Sequence, residues 1–189
     1  MERPKADNPA SDPLLLDLAA GKERAFEAVY DRFAGPMLRA AVAMLGRNED
    51  AEDTVQEVFA AMVRSRERLA EVRDLRAYLF TALRRAAGRR ATRRAEEPIS
   101  STELAAEALA THNTRGDNPA VDRLGRALQA LPPRQREVIT LKVDGELTFA
   151  QIADMLDISI NTAASRYRYA LEKLRTKLQD AEHAPRSKK

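Results

Sequence analysis

The chain has 189 residues, with 32 lysines and arginines against 29 acids and a formal net charge of +3. It has no cysteine, and its two histidines, His112 and His183, lie in polar stretches, so disulfides, thiolate sites, histidine metal clusters and Ser-His catalysis are not expected. No apolar run approaches the roughly 20 residues of a membrane span, and no signal-peptide core is present. We therefore expect a cytoplasmic protein without membrane insertion, cofactor, metal, small-molecule substrate or catalytic residue.

Scarce glycine and abundant Ala, Leu, Arg and Glu predict helix almost throughout the chain. We predict an all-α fold of two small helical domains joined by a flexible linker. The predicted parts are a disordered tail at 1–13, a first domain at 14–94, a linker at 95–119, a second domain at 120–179 and a basic tail at 180–189. A weak helix is predicted inside the linker, at residues 103–110.

The first domain opens with a short helix from Leu14 to about Gly21. The apolar stripe that follows runs from Phe26 to Phe33, and we expect the helix to break at Gly35-Pro36 because proline removes a helical hydrogen bond.

The next predicted helix, residues 48–64, buries a stripe that includes Val55 and Val58. Its acids fall on the far side of the helical wheel: Glu49, Asp50, Asp53 and Glu57. Such a run is usually a solvated face, and the functional alternative is a docking surface for a basic partner.

A further helix, residues 74–94, begins apolar around Tyr78 and then becomes strongly basic. Its arginines are Arg84, Arg85, Arg89, Arg90, Arg93 and Arg94, with no acid among residues 84–94. Arginines grip phosphates and base edges, so this pattern favours a nucleic-acid surface. The alternative is a solvated helix end, where cations are also favourable.

The second domain starts near Pro119, and Pro132-Pro133 ends one helix and begins another. The aliphatic residues Val138, Ile139 and Leu141 follow. We interpret these three as core in preference to an exposed partner contact.

A helix-turn-helix is predicted at the end of the second domain. The first helix covers 149–156, residues 157–159 form the turn, and Ser159 or Asn161 caps the second helix. The apolar face of the second helix is predicted at Ile160, Ala164, Tyr167, Leu171, Leu174 and Leu178. The opposite polar face suits the major groove of DNA, although a polar face is often only solvated: Asn161, Thr162, Ser165, Arg166, Arg168 and Tyr169.

Four segments, in this order, carry a family resemblance: residues 50–59 (DAEDTVQEVF), 75–84 (LRAYLFTALR), 130–139 (ALPPRQREVI) and 161–166 (NTAASR). Together they resemble the extracytoplasmic-function (ECF) group of bacterial RNA polymerase sigma factors, which keep only regions 2 and 4. The resemblance implies that 14–94 is region 2 and that 120–179 is region 4.

The resemblance also implies roles and partners. The first segment would dock on the clamp helices of core RNA polymerase through Asp50, Asp53, Gln56, Glu57 and Phe59. The single-stranded minus-ten element of promoter DNA would be held by Tyr78, Arg84, Arg85, Arg89 and Arg90. The minus-thirty-five element would be read by Asn161, Thr162, Ser165, Arg166, Arg168 and Tyr169. Region 4 would also contact the polymerase flap, and an anti-sigma factor is an expected partner.

The chain departs from the family at several positions. Tyr78 replaces a frequent Trp, Arg85 a frequent Asn, and Ala164 a frequent Lys or Arg, while Asp157 stands where a turn glycine is common. The competing hypothesis is a stand-alone helix-turn-helix regulator that binds its operator without polymerase.

Overall fold

The structure is a computed structural model that describes residues 12–96 and 119–183. Its helices, in chain order, are α1 (Pro13–Ala19), α2 (Glu23–Leu45), α3 (Asn48–Arg64), a 3₁₀ helix (Arg66–Glu71), α4 (Leu75–Glu96), α5 (Pro119–Gln129), α6 (Pro133–Val143), α7 (Phe149–Leu156) and α8 (Ile160–His183). These described residues contain helices and no strand, which confirms the all-α prediction. The predicted helix at 103–110 and both predicted tails lie wholly or largely outside the described residues.

Local side-chain chemistry sets several helix ends. Asp12 accepts a hydrogen bond from the amide of Leu14 and caps α1, and Asp74 does the same for Ala77 at the start of α4. Gly46 ends α2 in the left-handed conformation at φ 79°, a geometry that glycine adopts without strain.

The helix α2 continues through Pro36, so the predicted break is wrong. Proline costs a helix interior roughly 3 kcal/mol. Phe33 and Met37, on either side of Pro36, are both almost fully buried. Burial of each such side chain contributes about 1.5–3 kcal/mol, enough to offset that cost.

Residues 12–96 form an N-terminal module. In it α3 packs against α2 and α4, while α1 packs against α2 and the 3₁₀ helix. Leu18, Val29, Leu69 and Leu79 are fully buried at its centre. The 3₁₀ helix was not anticipated from the sequence.

Residues 119–183 form a C-terminal module, in which α8 packs against α5, α6 and α7. The predicted helix-turn-helix is present. Asp157 occupies the turn at φ 51°, and the Ser159 hydroxyl accepts from the amide of Thr162 to cap α8.

The buried face of α8 differs from the predicted one. Ile160 and Leu171 are exposed, whereas Leu174 is buried as predicted. Ala163 and Ala170, which were not predicted, are buried as well. The small alanines let α8 approach its neighbours closely, so the contact line runs through Ala163, Ala170 and Leu174.

The two modules pack directly against each other. Val138, Leu141 and Leu147 belong to the same buried cluster as Leu79 and Phe80 of α4. The interpretation of 138, 139 and 141 as core is confirmed, because each is at least 96% buried. Two helical domains are present as predicted, and in this structure they are docked.

Within residues 12–96 and 119–183, every helix is too short or too polar to cross a bilayer.

Candidate functional site

The acids of α3 face the arginines of α4 across the helix pair. Arg90 donates from Nε to Asp50 Oδ1 (2.7 Å) and from Nη2 to Asp53 Oδ2 (2.6 Å). Arg89 donates from Nη2 to Glu57 Oε1 (2.8 Å). The like charges of α4 are therefore balanced by a neighbouring helix of the same module.

This network changes the character of the predicted acidic face. The side chain of Asp50 is only 17% exposed, so it is a largely buried structural carboxylate and not part of a solvated face. Its hydrogen bond is the main cause that raises the pKa of Arg90, against the opposing effect of burial. Asp53 and Glu57 keep side-chain exposures of 60% and 47% and remain open to a partner.

The other two residues of the predicted docking set lie on different faces of α3. Gln56 is exposed beside the acids. Phe59 is half-buried, with its ring centroid 5.0 Å from that of Tyr30, and the two rings line an apolar groove between α2 and α3 with Met62. The structure thus brings together the polar members of the set and places Phe59 apart.

A second groove runs between α3 and α4 and holds three of the predicted minus-ten residues. Tyr78, Arg85 and Arg89 line it together with Glu57 and the apolar surface of Ala61 and Ala82. Positions 78, 82, 85 and 89 share one helical face. An aromatic ring, two guanidinium groups and an apolar floor form a surface of the kind that holds unstacked bases beside phosphates.

The remaining two arginines of that set point elsewhere, so the five predicted residues do not form one surface. Arg84 lies on a different side of α4, where its Nε donates to Glu137 Oε1 of α6 (2.7 Å). Arg90 is held by Asp50 and Asp53. The helical register explains this outcome, since residues 84 and 85 are about 100° apart around the axis.

The polar face of α8 is only partly open. Asn161, Arg168 and Tyr169 are exposed, and Ser165 and Arg166 are half-buried. The Arg168 guanidinium lies 5.3 Å from the centroid of the Tyr169 ring.

Thr162 has a structural role that was not predicted. Its Oγ1 lies 2.8 Å from Ser159 Oγ, so it participates in the cap of α8.

Sequence reasoning missed the polar contacts between modules. Arg39 donates to Asp144 (2.8 Å), and Gln151 donates to Asp74 (2.6 Å). The partners in such pairs lie 53 to 105 residues apart, so no local pattern signals them.

The two groups of charges that form the ion pairs between α3 and α4, by contrast, could have been predicted from the sequence. Acids at 50, 53 and 57 and arginines at 89, 90 and 94 both recur at helical spacing on two helices of one module.

Comparison with known proteins identifies the family. The family description "Sigma-70 region 2" matches residues 29–97, and "Sigma-70, region 4" matches residues 122–174. The ECF RNA polymerase sigma factor SigL of Mycobacterium tuberculosis is 32% identical over 167 residues, covering 86% of this chain and 93% of SigL. The chain belongs to the ECF sigma factors.

Other relatives agree with that assignment. This sigma factor is 29% identical over 172 residues to the ECF sigma factor SigK of Mycobacterium ulcerans, covering 86% of this chain and 90% of SigK. Solved structures share its fold. One is CnrH in complex with the cytosolic domain of CnrY (TM-score 0.60, 24% identity, 91% and 98% of the two chains). Another is the sigma factor RpoE in complex with the anti-sigma factor NepR from Bartonella quintana (TM-score 0.65, 20% identity, 82% and 96%).

The family assignment sets the function. This protein is a bacterial sigma factor that binds core RNA polymerase and directs promoter recognition and transcription initiation. The sigma factor family is not an enzyme class.

Proposed function

We propose that this sigma factor binds its partners through three separate surfaces. The exposed acids of α3 dock on the clamp helices of core polymerase, the α3–α4 groove holds the minus-ten strand, and the polar face of α8 reads the minus-thirty-five element. Region 2 would then occupy 14–94 and region 4 would occupy 120–179. The observation that carries the proposal is the α3–α4 groove, which places Tyr78, Arg85 and Arg89 beside the acidic edge of α3.

The exposed acids of α3 would form the contact with core polymerase. Asp53 and Glu57 are about half exposed, and Gln56 lies between them along α3. Anionic groups on a rigid helix attract a basic helical partner and fix its register. Asp50 contributes indirectly, because it holds Arg90 in place, and Phe59 supplies apolar contact in the neighbouring groove.

The minus-ten strand would lie along the α3–α4 groove. Tyr78 offers a face for a base to stack on, and base–aromatic stacking contributes about 1–3 kcal/mol per base. Arg85 and Arg89 follow Tyr78 about two and three turns along α4 and would contact phosphates, Arg89 after release from Glu57. Arg90 does not line the groove, and its contact with DNA requires release from Asp50 and Asp53.

The minus-thirty-five element would receive the N-terminal half of α8 in its major groove. Asn161 and Ser165 lie one helical turn apart and point to the same side, as donors and acceptors for base edges. Arg166 and Arg168 reach phosphates or bases, and Tyr169 stacks beside Arg168. Thr162 is assigned no contact with DNA, because it takes part in the cap of α8.

Two further partners belong to this proposal. The flap of core polymerase would contact the C-terminal module. An anti-sigma factor would bind this chain as NepR binds the sigma factor RpoE of Bartonella quintana. Because its polymerase and promoter partners are inside the cell, we place this sigma factor in the cytoplasm.

The stand-alone regulator is not favoured. Residues 29–97 match sigma region 2, and a regulator that acts without polymerase would have no use for that module.

Run-off transcription with purified core polymerase over a fragmented genomic library tests the proposal. The wild type should initiate at a few related start sites. Tyr78→Ala should bind polymerase normally and lose roughly tenfold or more of this initiation, the loss expected when one stacked base is released.

A control is Leu16→Ala, which removes an exposed apolar side chain of α1 that lines neither the α2–α3 groove nor the α3–α4 groove. Equal initiation by Tyr78→Ala and wild type would overturn the groove assignment. Duplex binding without polymerase-dependent initiation would favour the regulator.

A further inference from the structure

One arginine of α4 bridges two acids of α3. Arg90 donates from Nε to Asp50 Oδ1 (2.7 Å) and from Nη2 to Asp53 Oδ2 (2.6 Å). Asp50 and Asp53 are three residues apart, so their side chains lie on the same face of α3. The guanidinium group is planar, and its donors have a fixed relative geometry. Once the first carboxylate is fixed, Arg90 therefore determines where the second carboxylate is held.

The Asp50 end of this bridge is anchored. The side chain of Asp50 is 17% exposed, and its Oδ2 also lies 3.3 Å from Arg94 Nη1 and 3.9 Å from Arg47 Nη1. Side-chain exposure then rises along the bridge, to 32% at Arg90 and 60% at Asp53. The bridge thus connects a largely buried, fixed carboxylate to an exposed one.

Asp53 remains available to a partner while Arg90 holds it. The hydrogen bond from Arg90 uses Oδ2, and a carboxylate can accept further hydrogen bonds at its other oxygen. An exposed carboxylate that nothing holds samples several rotamers, and ordering it on binding costs affinity. Asp53 is ordered before any partner binds, because the arginine that holds it is itself fixed by Asp50.

We propose that Arg90 is a positioning residue for the docking of core polymerase and acts through Asp53. It holds the Asp53 carboxylate in the orientation that the basic partner meets, and Asp50 holds Arg90. This inference rests on the proposed function, in which the exposed acids of α3 contact core polymerase. It assigns Arg90 to the docking surface and not to the minus-ten strand, because both of its ion pairs would have to break before it could contact DNA.

A double-mutant cycle between Arg90 and Asp53 tests this role. The affinity for purified core polymerase is measured with the fluorescently labelled full chain and without DNA, so that a contact with the promoter cannot contribute. The four proteins are wild type, Arg90→Met, Asp53→Ala and the double variant. The matched control is Arg24→Met, which removes an exposed arginine of the same module outside α3 and α4.

We expect Arg90→Met to weaken polymerase binding roughly three- to tenfold, since Asp53 must then be ordered during binding. In the Asp53→Ala background the same change should cause no further loss, because the group that Arg90 positions is absent. Arg24→Met should bind as the wild type does.

Arg90→Lys separates charge from geometry. It keeps a positive charge beside Asp50, but an ammonium group does not reproduce the fixed fork of the guanidinium, so most of the affinity lost in Arg90→Met should be lost here too. Should circular dichroism show Arg90→Met to be unfolded, Arg90→Lys replaces it in the cycle.

Two results would overturn the positioning role. One is binding by the Arg90 variants that equals or exceeds that of the wild type, as expected of an arginine that competes with polymerase for Asp53. The other is an equal loss with and without the Asp53 carboxylate, which would show that Arg90 acts through the packing of α3 and α4. Failure of the proposed function is distinct from both, because Asp53→Ala alone would then bind polymerase as the wild type does.

Discussion

At the residue scale, Thr140 of α6 is 2% exposed, and its hydroxyl has no partner among the described residues. A buried polar group without a hydrogen bond costs stability. We expect Thr140→Val to raise the free energy of unfolding by about 1 kcal/mol in urea denaturation.

The matched control is Thr54→Val. Thr54 is equally buried, but its hydroxyl donates to the carbonyl of Asp50 at 2.6 Å, so this change should destabilise the protein. A loss of stability in Thr140→Val as large as that in Thr54→Val would show that the Thr140 hydroxyl does make a stabilising hydrogen bond, and would contradict this account.

A second residue, Asp144, gives a pH-dependent prediction. Burial raises the pKa of its carboxyl, and the hydrogen bond from Arg39 only partly offsets this effect. Because the folded pKa lies above the ordinary value of 3.8, the contribution of Asp144 to stability is full below that value and is lost as pH rises through the raised pKa.

Asp144→Asn keeps an oxygen acceptor for Arg39 and removes the charge. The stability of this variant relative to wild type, measured by thermal unfolding, should therefore increase as pH rises above 3.8 and through the raised pKa of Asp144. The exposed Asp154→Asn is the control. A relative stability of Asp144→Asn that falls over this range would have the wrong sign.

At the element scale, the α6–α7 connection depends on Gly145. A Cβ at this position would overlap the carbonyl oxygen of Leu141 and press on Phe80. We expect Gly145→Ala to lower the free energy of unfolding by roughly 1–3 kcal/mol, the usual cost of overpacking.

Gly88→Ala in α4 is the matched glycine change, since a Cβ there meets nothing within 4 Å. It should stabilise the helix by about 0.5–1 kcal/mol. Chemical denaturation of both variants measures the difference, and equal effects would refute the close approach at Gly145.

Elements that depend on local chemistry were predictable from sequence. The turn at 157–159 and the Ser159 cap were both expected, because they need only residues that lie within one turn of each other. The continuity of α2 through Pro36 was not predictable in this way. It depends on burial of Phe33 and Met37 against other elements, which no local pattern contains.

The candidate site shows the same division. The sequence pattern predicted a group of acids on α3 and a group of arginines on α4. The ion pairs between the two groups depend on how the helices pack, which the pattern does not contain. Arg84 and Arg85 are neighbours in sequence and were grouped together. The register of α4 sends Arg84 to Glu137 and Arg85 to the α3–α4 groove.

At the scale of the whole molecule, the docked modules share one buried cluster that includes Leu79 and Leu141. Composition and periodicity predict two helical domains, since each helix carries its own stripe. They cannot predict docking between residues 53 to 105 positions apart. The chain therefore presents a docked arrangement in which part of the expected promoter surface faces its own second module.

The most direct measurement is the affinity of fluorescently labelled sigma factor for purified core polymerase, compared among wild type, Asp53→Arg and Glu67→Arg. Both variants exchange an exposed acid for arginine in the N-terminal module, and only Asp53 lies on the proposed docking face. We expect Asp53→Arg to weaken binding roughly tenfold or more, because like charges then meet the clamp helices, and Glu67→Arg to bind as the wild type does. Equal affinities of all three folded proteins would contradict docking through α3.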